Sequence, residues 1–413
     1  MFYAHASVGT LHIRPVLNMK SDVDIKNMKS ISQEAFEMVK NYKGSHSGEH
    51  GDGIVRSEFH EMMFGKKIIN AFEEIKDTFD NKNLLNPGKI VRPYKSNDRS
   101  LMRYKSGYQA NNINTHYDWS NWGQFSDAVE MCNNNGACRK LDSGVMCPSY
   151  RVTKEEKDLV RGRANTLRLA LSNQLPEGSF ASKDMYETME LCVSCKACQR
   201  ECPMSVDMAK MKSEFLSHFY KKFSMSIKDR IISDMPRLIW LLKIIAPTFN
   251  KVKNLPIIST IVNKFGFATE RKMPEVQSQD ALKEIYNSQP VSENKVILFA
   301  DTFNINFENK NLIYSIKVLN KFGYQAIIPS YGKDNLSRPL CCGRTYISYG
   351  QLDKAASELN RFNDYILENN YYDLPVVGIE PSCLLTFNDE YLSLIHISEP
   401  TRRRGISYAV FCL

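Results

Sequence analysis

The sequence lacks any apolar run long enough to cross a bilayer, which argues against a membrane-spanning helix. It also lacks a stripe of lysine and arginine with interleaved aromatic residues, and its net charge of +8 is spread along the whole chain. Nucleic-acid binding is therefore not expected. No secretory signal stands at the start, so we expect the 11 cysteines to be thiols or metal ligands in a reducing, cytoplasmic compartment.

The composition is that of a globular chain, with 43% hydrophobic and 24% charged residues over 413 positions. Two or three domains are expected at this length. The most apolar segment, residues 235–267, carries dispersed lysines and arginines. We interpret it as an amphipathic helix pair packed on a neighbouring domain. The alternative is peripheral contact with a membrane surface, which would place the protein at the inner face of the cytoplasmic membrane.

Four cysteines crowd into residues 192–202 and end in a proline. The spacing Cys192-x2-Cys195-x2-Cys198-x3-Cys202-Pro is that of the bacterial iron–sulfur run. A structural zinc site normally uses two separated pairs, and disulfides suit short secreted chains. The spacing therefore predicts iron–sulfur ligands.

A second, incomplete run lies upstream. Cys132 and Cys138 take the first and third places of the same template, Asn135 stands in the second place, and Cys147 precedes a proline. In two-cluster ferredoxins the fourth cysteine of each run ligates the other cluster. One complete [4Fe–4S] cluster is therefore expected on Cys147 and the first three cysteines of the downstream run. The other site, on Cys132, Cys138 and Cys202, has only three thiolates. It is expected to hold [3Fe–4S] or an incompletely ligated [4Fe–4S]. The alternative is that the upstream cysteines are ordinary buried residues.

The amino-terminal window carries histidines among glycines. His5 and His12 stand seven residues apart, and Glu49 and His50 are adjacent in "SGEHGDG". The glycines at 48, 51 and 53 permit close approach of a planar ligand to the backbone. A Glu–His pair on such a turn suits a metal ion and a substrate proton, but the spacing alone is a weak metal signal.

These motifs, taken in order, resemble a known family. "HASVGTLHIRP", "SGEHGDGIVRSEFHEMMFG" and "LLNPGKIV" resemble the C-terminal cap of FAD-linked oxidases, which include D-lactate dehydrogenases and the flavin subunit of glycolate oxidase. The two cysteine runs resemble the iron–sulfur half of the fused bacterial versions. The resemblance covers residues 1–391 and implies FAD and iron–sulfur clusters as cofactors.

The resemblance also implies roles for individual residues. His5, His12 and Glu49 match ligands of a divalent metal such as Zn or Mn, and His50 matches the base that takes the substrate's hydroxyl proton. The flavin side comprises Gly48, Gly51, Gly53 and Asn86. Many relatives have Gly, Asp and Asn where this chain has Ser7, Val8 and Thr10.

The carboxy-terminal window alternates apolar strands with helical stretches, which predicts a parallel sheet with crossover helices. Cys341, Cys342 and Gly343, with the later Cys383, resemble the CCG-type cysteine-rich domain of heterodisulfide reductases. The earlier cysteine of that pattern is missing around Asp301. The three cysteines are tentative ligands, and buried small residues are the alternative.

Both ends of the sequence are expected to be artificial. Residues 392–413 resemble read-through of a sequencing adapter, and we assign them no function and no packing partner. Met1 is expected to be an internal methionine, with the family's FAD-binding domain upstream, so the chain alone should bind FAD poorly and be catalytically inactive.

The sequence thus predicts an α+β multidomain protein. The predicted domains are a cap at 1–95, a linker at 96–125, an α-helical ferredoxin domain at 126–225, a helical connector at 226–290, a truncated CCG-type domain at 291–391 and the tail at 392–413. The predicted function is FAD- and iron–sulfur-dependent oxidation of a D-2-hydroxy acid, D-lactate or glycolate, with electrons passed to a quinone or cytochrome. The alternatives are an iron–sulfur subunit of heterodisulfide-reductase type without its own substrate chemistry, and a zinc-stabilised scaffold.

Overall fold

A computed structural model describes residues 2–48, 50–242, 245–253, 255–268, 270, 272–329, 339–398 and 410–412. Glu49, one of the predicted metal ligands, lies outside the described residues. The chain divides into two compact units, residues 1–109 and 110–413.

The first unit holds a β-hairpin and a small group of helices. Its longest helix is capped at Ser21, whose side chain accepts a hydrogen bond from the Asp24 N–H, and acidic residues occupy its first turn, where they suit the helix dipole. The elements are β1 Phe2–His5, β2 Thr10–Ile13, α1 Asp22–Asn41, α2 Gly53–Ser57, α3 His60–Phe64, α4 Lys66–Phe79 and the 3-10 helix Arg99–Leu101.

The first half of the second unit is helical, with short helices around the cysteines. These are α5 Phe125–Glu130, α6 Pro148–Thr153, α7 Val160–Leu171, α8 Lys183–Glu190, α9 Ala197–Glu201, α10 Met208–Lys222, α11 Ile227–Ser233, α12 Met235–Leu242, α13 Ala246–Val252, α14 Pro256–Lys264 and α15 Asp280–Asn287. Short 3-10 helices cover Ser120–Trp122, Ala137–Arg139, Glu156–Asp158 and Ser179–Ala181.

The second half of this unit alternates strands and helices. The elements are β3 Lys295–Phe299, α16 Thr302–Phe307, α17 Asn309–Lys321, β4 Gln325–Ile327, α18 Arg344–Ser348, α19 Leu352–Glu368, β5 Val376–Gly378, α20 Pro381–Thr386, α21 Glu390–Ser398 and β6 Val410–Cys412.

The four strands form one sheet in the order β4-β3-β5-β6, and all three pairings are parallel. The predicted parallel sheet is thereby confirmed. Successive residues of β3 point to opposite faces: Val296 and Leu298 join one buried cluster, and Ile297 and Phe299 join another that continues into the cysteine-bearing helices. The iron–sulfur region and the sheet therefore share a core.

Helix α10 lies at the centre of this shared core. Its fully buried Glu214 accepts hydrogen bonds from the backbone N–H groups of His116 and Tyr117. Gly350 packs so closely on α10 that an added Cβ would lie 2.5 Å from the Ser217 nitrogen, and its φ of +65° also favours glycine. Residues near 117, which the sequence analysis assigns to a linker, thus belong to the core, since Tyr117 is fully buried.

Residues 392–394 of the tail pack within the second unit, contrary to the prediction that the tail has no partner. Ser393 exchanges hydrogen bonds with the backbone of Asp118, and Leu394 is buried three residues after the buried Tyr391. This three-residue spacing is a helical one that sequence inspection overlooked. That residues 392–413 have no function stays a prediction.

The apolar segment at 235–267 forms short helices rather than one long pair. Helix α14 buries none of its side chains, and Ile257, Ile261 and Phe265 are exposed. Ile258 and Val262 of the same helix are half-buried, so the packing of this amphipathic segment on a neighbouring domain stays a prediction. Among the described residues, no helix is long and apolar enough to span a membrane.

Candidate functional site

Two of the predicted metal ligands meet on the amino-terminal hairpin. In the antiparallel register His5 pairs with Thr10 and His12 pairs with Tyr3, which places both histidines on one face of the hairpin. Their ring centroids are 4.8 Å apart. The Nε2 atom of His12 is buried without a hydrogen-bond partner among the described residues, as expected of a nitrogen that would coordinate a bound ligand.

His50 joins this pair. Its ring centroid lies 6.1 Å from that of His12. The loop that carries it is held against the hairpin at Gly48, where an added Cβ would lie 2.2 Å from the Thr10 Oγ1 atom. His50 and the glycines at 48, 51 and 53 are exposed, which suits contact with a planar ring and a small substrate.

Asn86, the other residue predicted to face the flavin, lies in a different place. It lines a cleft with Phe72, Ile75 and Val91, and the lining of that cleft contains none of the three histidines. Its side-chain oxygen accepts a hydrogen bond from Lys89 at 3.4 Å. The structure therefore does not bring Asn86 into the histidine group.

The downstream cysteine run converges with the upstream Cys-Pro. One cavity is lined by Cys147 together with Cys192, Cys195 and Cys198. This is the set predicted for the complete cluster, and Cys202 is not part of the lining. The donor set fits a cubane iron–sulfur cluster, whose irons are each held by a thiolate.

Burial governs the chemistry of these thiols. Desolvation raises the pKa of the Cys198 thiol to about 12. Because the thiolate is the metal-binding form, such a thiol needs a nearby cation to ionise at neutral pH, and iron would supply it. Arg163, fully buried, donates to the Cys147 sulfur at 3.7 Å and adds positive charge beside the same cavity.

Two of the remaining three cysteines lie close together, and the third is next to a carboxylate that contacts the upstream loop. Cys132 and Cys138 are buried; burial raises the pKa of the Cys138 thiol, and the nearby Cys132 adds to the shift. The Glu201 carboxylate, next to Cys202, accepts hydrogen bonds from the Val145 and Met146 N–H groups at 2.9 and 3.0 Å. It therefore ties the downstream run to the loop between the upstream cysteines.

Asn135 stands in the second place of the cysteine template, but its side chain is already hydrogen-bonded to neighbouring residues. It is exposed, its Nδ2 donates to Asn133 Oδ1 at 2.6 Å, and its Oδ1 accepts from the Ala137 N–H at 2.8 Å. The Asn134 carboxamide contacts the Cys132 sulfur at 3.8 Å. The kind of cluster held by Cys132, Cys138 and Cys202 stays a prediction.

Serine substitutions should show which cysteines ligate the same cluster, with the last cysteine of each run belonging to the cluster of the other run. We expect Cys147→Ser and Cys198→Ser to abolish the same EPR signal and to remove about half of the cluster iron, because both line one cavity. Cys138→Ser and Cys202→Ser should abolish the other signal. The exposed Ser143→Ala variant should keep both. Pairing of Cys147 with Cys138 in this assay would contradict the crossed ligation.

The three carboxy-terminal cysteines also converge. Cys341, Cys342 and Cys383 are buried, and the Cys342 thiol interacts with both of the others. The contact with Cys342 and burial raise the pKa of Cys341; at Cys342 the contact with Cys341 lowers the pKa, but Cys383 and burial outweigh it and the net shift is upward. The N–H groups of Gly343 and Arg344 donate to the Cys341 and Cys342 sulfurs at 3.3 and 3.4 Å. Whether this group binds a cofactor stays a prediction.

Asp301 lies where the CCG pattern would have its earlier cysteine. It caps α16 by accepting hydrogen bonds from the Phe303 and Asn304 N–H groups, both at 3.0 Å. Burial raises the pKa of its carboxyl group. The neighbouring Thr302 hydroxyl contacts the Cys341 sulfur at 3.6 Å, so this turn touches the cysteine group.

Two cations join the downstream cysteine run to the carboxy-terminal group. Arg344 donates to the Ser194 carbonyl at 3.2 Å and forms an ion pair with Glu390. Lys196 lies 3.0 Å from Asp207 and 2.6 Å from Asp389. Burial lowers the pKa of Lys196, but the surrounding carboxylates outweigh it and the net shift is upward. These contacts fix the two cysteine groups relative to each other.

Sequence reasoning missed several residues of these sites. No sequence motif includes Arg163, Glu201 or Arg344, and only the fold brings these residues close to the cysteines. His46 stood next to the predicted "SGEH" motif and was passed over, although it is buried beside Asp52 and His60.

Protein-family models match the two sites separately. Residues 1–90 match the C-terminal domain of FAD linked oxidases, and residues 128–206 match a 4Fe-4S dicluster domain. The predicted resemblance is thereby confirmed: the chain contains an FAD-oxidase C-terminal domain and a 4Fe–4S dicluster domain. These domains support FAD and iron–sulfur clusters as cofactors.

Curated relatives agree with both matches. The chain is 26% identical to a D-2-hydroxyglutarate dehydrogenase of Pantoea ananatis over an alignment of 445 positions, which covers 95% of this chain and 42% of that protein. The glycolate oxidase subunit GlcD of Bacillus subtilis is 32% identical over 21% of this chain and 19% of its own length. A D-lactate dehydrogenase of Archaeoglobus fulgidus is 33% identical over 22% of this chain and 19% of its own length. The chain thus spans about two fifths of the relatives that match both domains, and no solved structure matches it significantly.

Proposed function

We propose that the chain forms the substrate-side cap and the electron-transfer half of a D-2-hydroxy acid dehydrogenase. The observation that carries the proposal is the convergence of His5, His12 and His50 in a domain of the FAD-oxidase type. D-2-Hydroxyglutarate is the first candidate substrate, since the Pantoea relative covers 95% of the chain and bears that name. D-Lactate and glycolate, the substrates predicted from the sequence, are the next.

The hairpin histidines orient the substrate. His5, His12 and Glu49 would hold a divalent metal such as Zn or Mn, which would supply positive charge for the substrate's carboxylate and hydroxyl. The orphaned Nε2 of His12 supports this role. Thr10, which replaces a residue common among relatives, packs against Gly48.

His50 removes the hydroxyl proton. It is exposed on the glycine loop and lies beside His12, so a substrate hydroxyl held beside the hairpin histidines would be within its reach. Gly48, Gly51 and Gly53 of the same loop would face the flavin, and Asn86 would meet it only at a separate place, the cleft lined by Phe72 and Ile75. When bound, FAD supplies a two-electron acceptor for the substrate's hydride.

The cysteines divide the electron pair into single electrons. Cys147, Cys192, Cys195 and Cys198 hold a [4Fe–4S] cluster, and Cys132, Cys138 and Cys202 hold a second cluster, [3Fe–4S] or [4Fe–4S]. The Arg344–Ser194 contact supports onward transfer toward Cys341, Cys342 and Cys383. The final acceptor is a quinone or cytochrome, and exposed Ile257 and Ile261 of α14 support peripheral contact with the inner face of the membrane.

A second candidate function is electron transfer without substrate chemistry, as in iron–sulfur subunits of heterodisulfide-reductase type. The convergence of Cys341, Cys342 and Cys383 favours it, because a third buried cysteine group adds nothing to hydroxy-acid oxidation itself. The histidine group of the first unit favours the dehydrogenase.

An assay with an artificial electron acceptor tests the proposal. The chain would be joined to the flavin domain encoded upstream in the same genome and supplied with D-2-hydroxyglutarate, D-lactate, glycolate and the L-enantiomers. We expect turnover with a D-2-hydroxy acid and the largest kcat/KM with D-2-hydroxyglutarate. Flavin-loaded protein that reduces the acceptor with none of them would favour the second candidate.

A further inference from the structure

The first unit contains a second group of metal-binding side chains, separate from the hairpin histidines. It consists of His46, Asp52 and His60, contributed by the two flanks of the "SGEHGDG" loop and by the start of helix α3. His60 Nε2 lies 2.9 Å from Asp52 Oδ2, and His46 Nε2 lies 3.8 Å from Asp52 Oδ1. One ligand atom from each residue lies within 4.8 Å of the other two, which matches atoms sharing one ion at bond lengths of about 2.0–2.2 Å.

The side chain of His46 is buried, and its hydrogen-bonding groups are unpaired among the described residues. Its side chain is 1% exposed, and neither of its ring nitrogens has a hydrogen-bond partner among the described residues. The Oδ1 atom of Asp52, which faces His46, is buried and without a hydrogen bond as well. A buried polar atom left without a partner destabilises the fold, and a bound ligand would account for this arrangement.

The orientation of the His60 ring also supports a metal site. Its Nδ1 lies 3.4 Å from the Ile90 carbonyl oxygen, which accepts a proton only from Nδ1–H. Its Nε2 lies 2.9 Å from Asp52 Oδ2, so the ring reaches the carboxylate with one nitrogen and the backbone carbonyl with the other. Histidine ligands commonly donate their second N–H to a backbone carbonyl in this way.

The surroundings favour a neutral imidazole at His46. Burial is the largest influence and lowers the pKa of His46; Asp52 opposes the shift, while His60 and Arg56 add to it. Neutral imidazole is the form that binds metals. Phe36 and Phe64 flank the His46 ring at centroid distances of 5.4 and 5.7 Å and exclude water from one side.

We propose that His46, Asp52 and His60 bind a divalent transition metal ion, with zinc as the foremost candidate. Two imidazoles and one carboxylate form a common zinc donor set and leave room for a fourth ligand. The ion fastens both flanks of the loop that carries His50, at residues 46 and 52, to helix α3. Only this consequence, the positioning of His50, rests on the proposed function; the metal site itself does not.

Zinc analysis of the whole chain tests the site. The iron–sulfur clusters are first assembled anaerobically, so that their cysteines are occupied, and the protein is then dialysed against a chelator, equilibrated with zinc and desalted. We expect Asp52→Asn and His46→Gln to contain one zinc per chain fewer than the wild type. His50→Gln, a histidine change in the same loop, should keep that ion. X-ray absorption at the zinc edge should show nitrogen and oxygen ligands, without sulfur, for the ion that is lost.

Thermal unfolding provides an independent measurement. Added zinc should raise the Tm of the wild type and of His50→Gln but not of Asp52→Asn, an isosteric change that keeps a hydrogen-bond partner for His60. Equal far-UV circular dichroism and equal iron content confirm that the variants are folded, and His46→Gln replaces Asp52→Asn if the latter is not. Equal zinc content in the folded variants and the wild type, or a zinc ion held by sulfur, would overturn the site whatever the enzyme's activity.

Discussion

Replacing His50 by alanine should lower turnover of the flavin-loaded enzyme by about 10²–10⁴-fold, the usual effect of losing a general base. The expectation follows from its exposed position beside His12 on the glycine loop. Because the side chain points away from any packed core, the fold and the bound flavin should survive the change. The measurement is steady-state kinetics of the chain joined to its upstream flavin domain, with flavin content read from the absorption spectrum.

The control is Glu74→Ala, which removes an exposed side chain from α4 and should leave turnover within about twofold, since such surface changes have small effects. His50→Ala protein that binds flavin and turns over at the wild-type rate would refute the assignment of the base. Loss of flavin together with activity would show instead that His50 helps to hold the cofactor.

Asn135→Cys should convert the weaker cluster site into a complete one. The wild-type protein, oxidised anaerobically, should show a [3Fe–4S] EPR signal, because Cys132, Cys138 and Cys202 supply three thiolates. A cysteine at 135 takes the second place of the template and should replace this signal by that of a reducible [4Fe–4S] cluster. The change breaks the hydrogen bonds of Asn135 to Asn133 and Ala137, which are exposed and inexpensive to lose.

Asn133→Cys is the matched control, since it adds a thiol to the same exposed loop outside the template position. It should leave the [3Fe–4S] signal unchanged. Two identical [4Fe–4S] clusters in the wild type would contradict the account of unequal sites.

The sequence predicted the features that depend on local spacing. His5 and His12 share a face because a short turn returns the strand in register, and the parallel sheet follows from the buried run at 295–299 with its crossover helices. The contact of Cys147 with the downstream run was predicted only because, in two-cluster ferredoxins, the last cysteine of each run ligates the cluster of the other run. Spacing within one run cannot show which cysteine of a distant run will reach it.

Features that depend on burial were missed. His46 gave no signal of its own, because nothing in the sequence shows that its ring is enclosed by Phe36 and Phe64. The tail at 392–394 was expected to have no partner, yet Leu394 enters the core and Ser393 binds the backbone of Asp118. For α14, apolar content alone did not show which side is covered: Ile257 and Ile261 are exposed, and Ile258 and Val262 are half-buried.

In the proposed reaction the hydroxyl proton of a D-2-hydroxy acid goes to the histidine group, the hydride goes to the flavin, and single electrons pass on to the cysteine-bound clusters. Anaerobic rapid mixing of the flavin-loaded enzyme with D-2-hydroxyglutarate, followed by freeze-quench EPR, tests it most directly. We predict reduced-cluster signals within the time of one turnover, and their absence in the His50→Ala variant. Reduction of the flavin at the normal rate with no electrons on either cluster would contradict the claim.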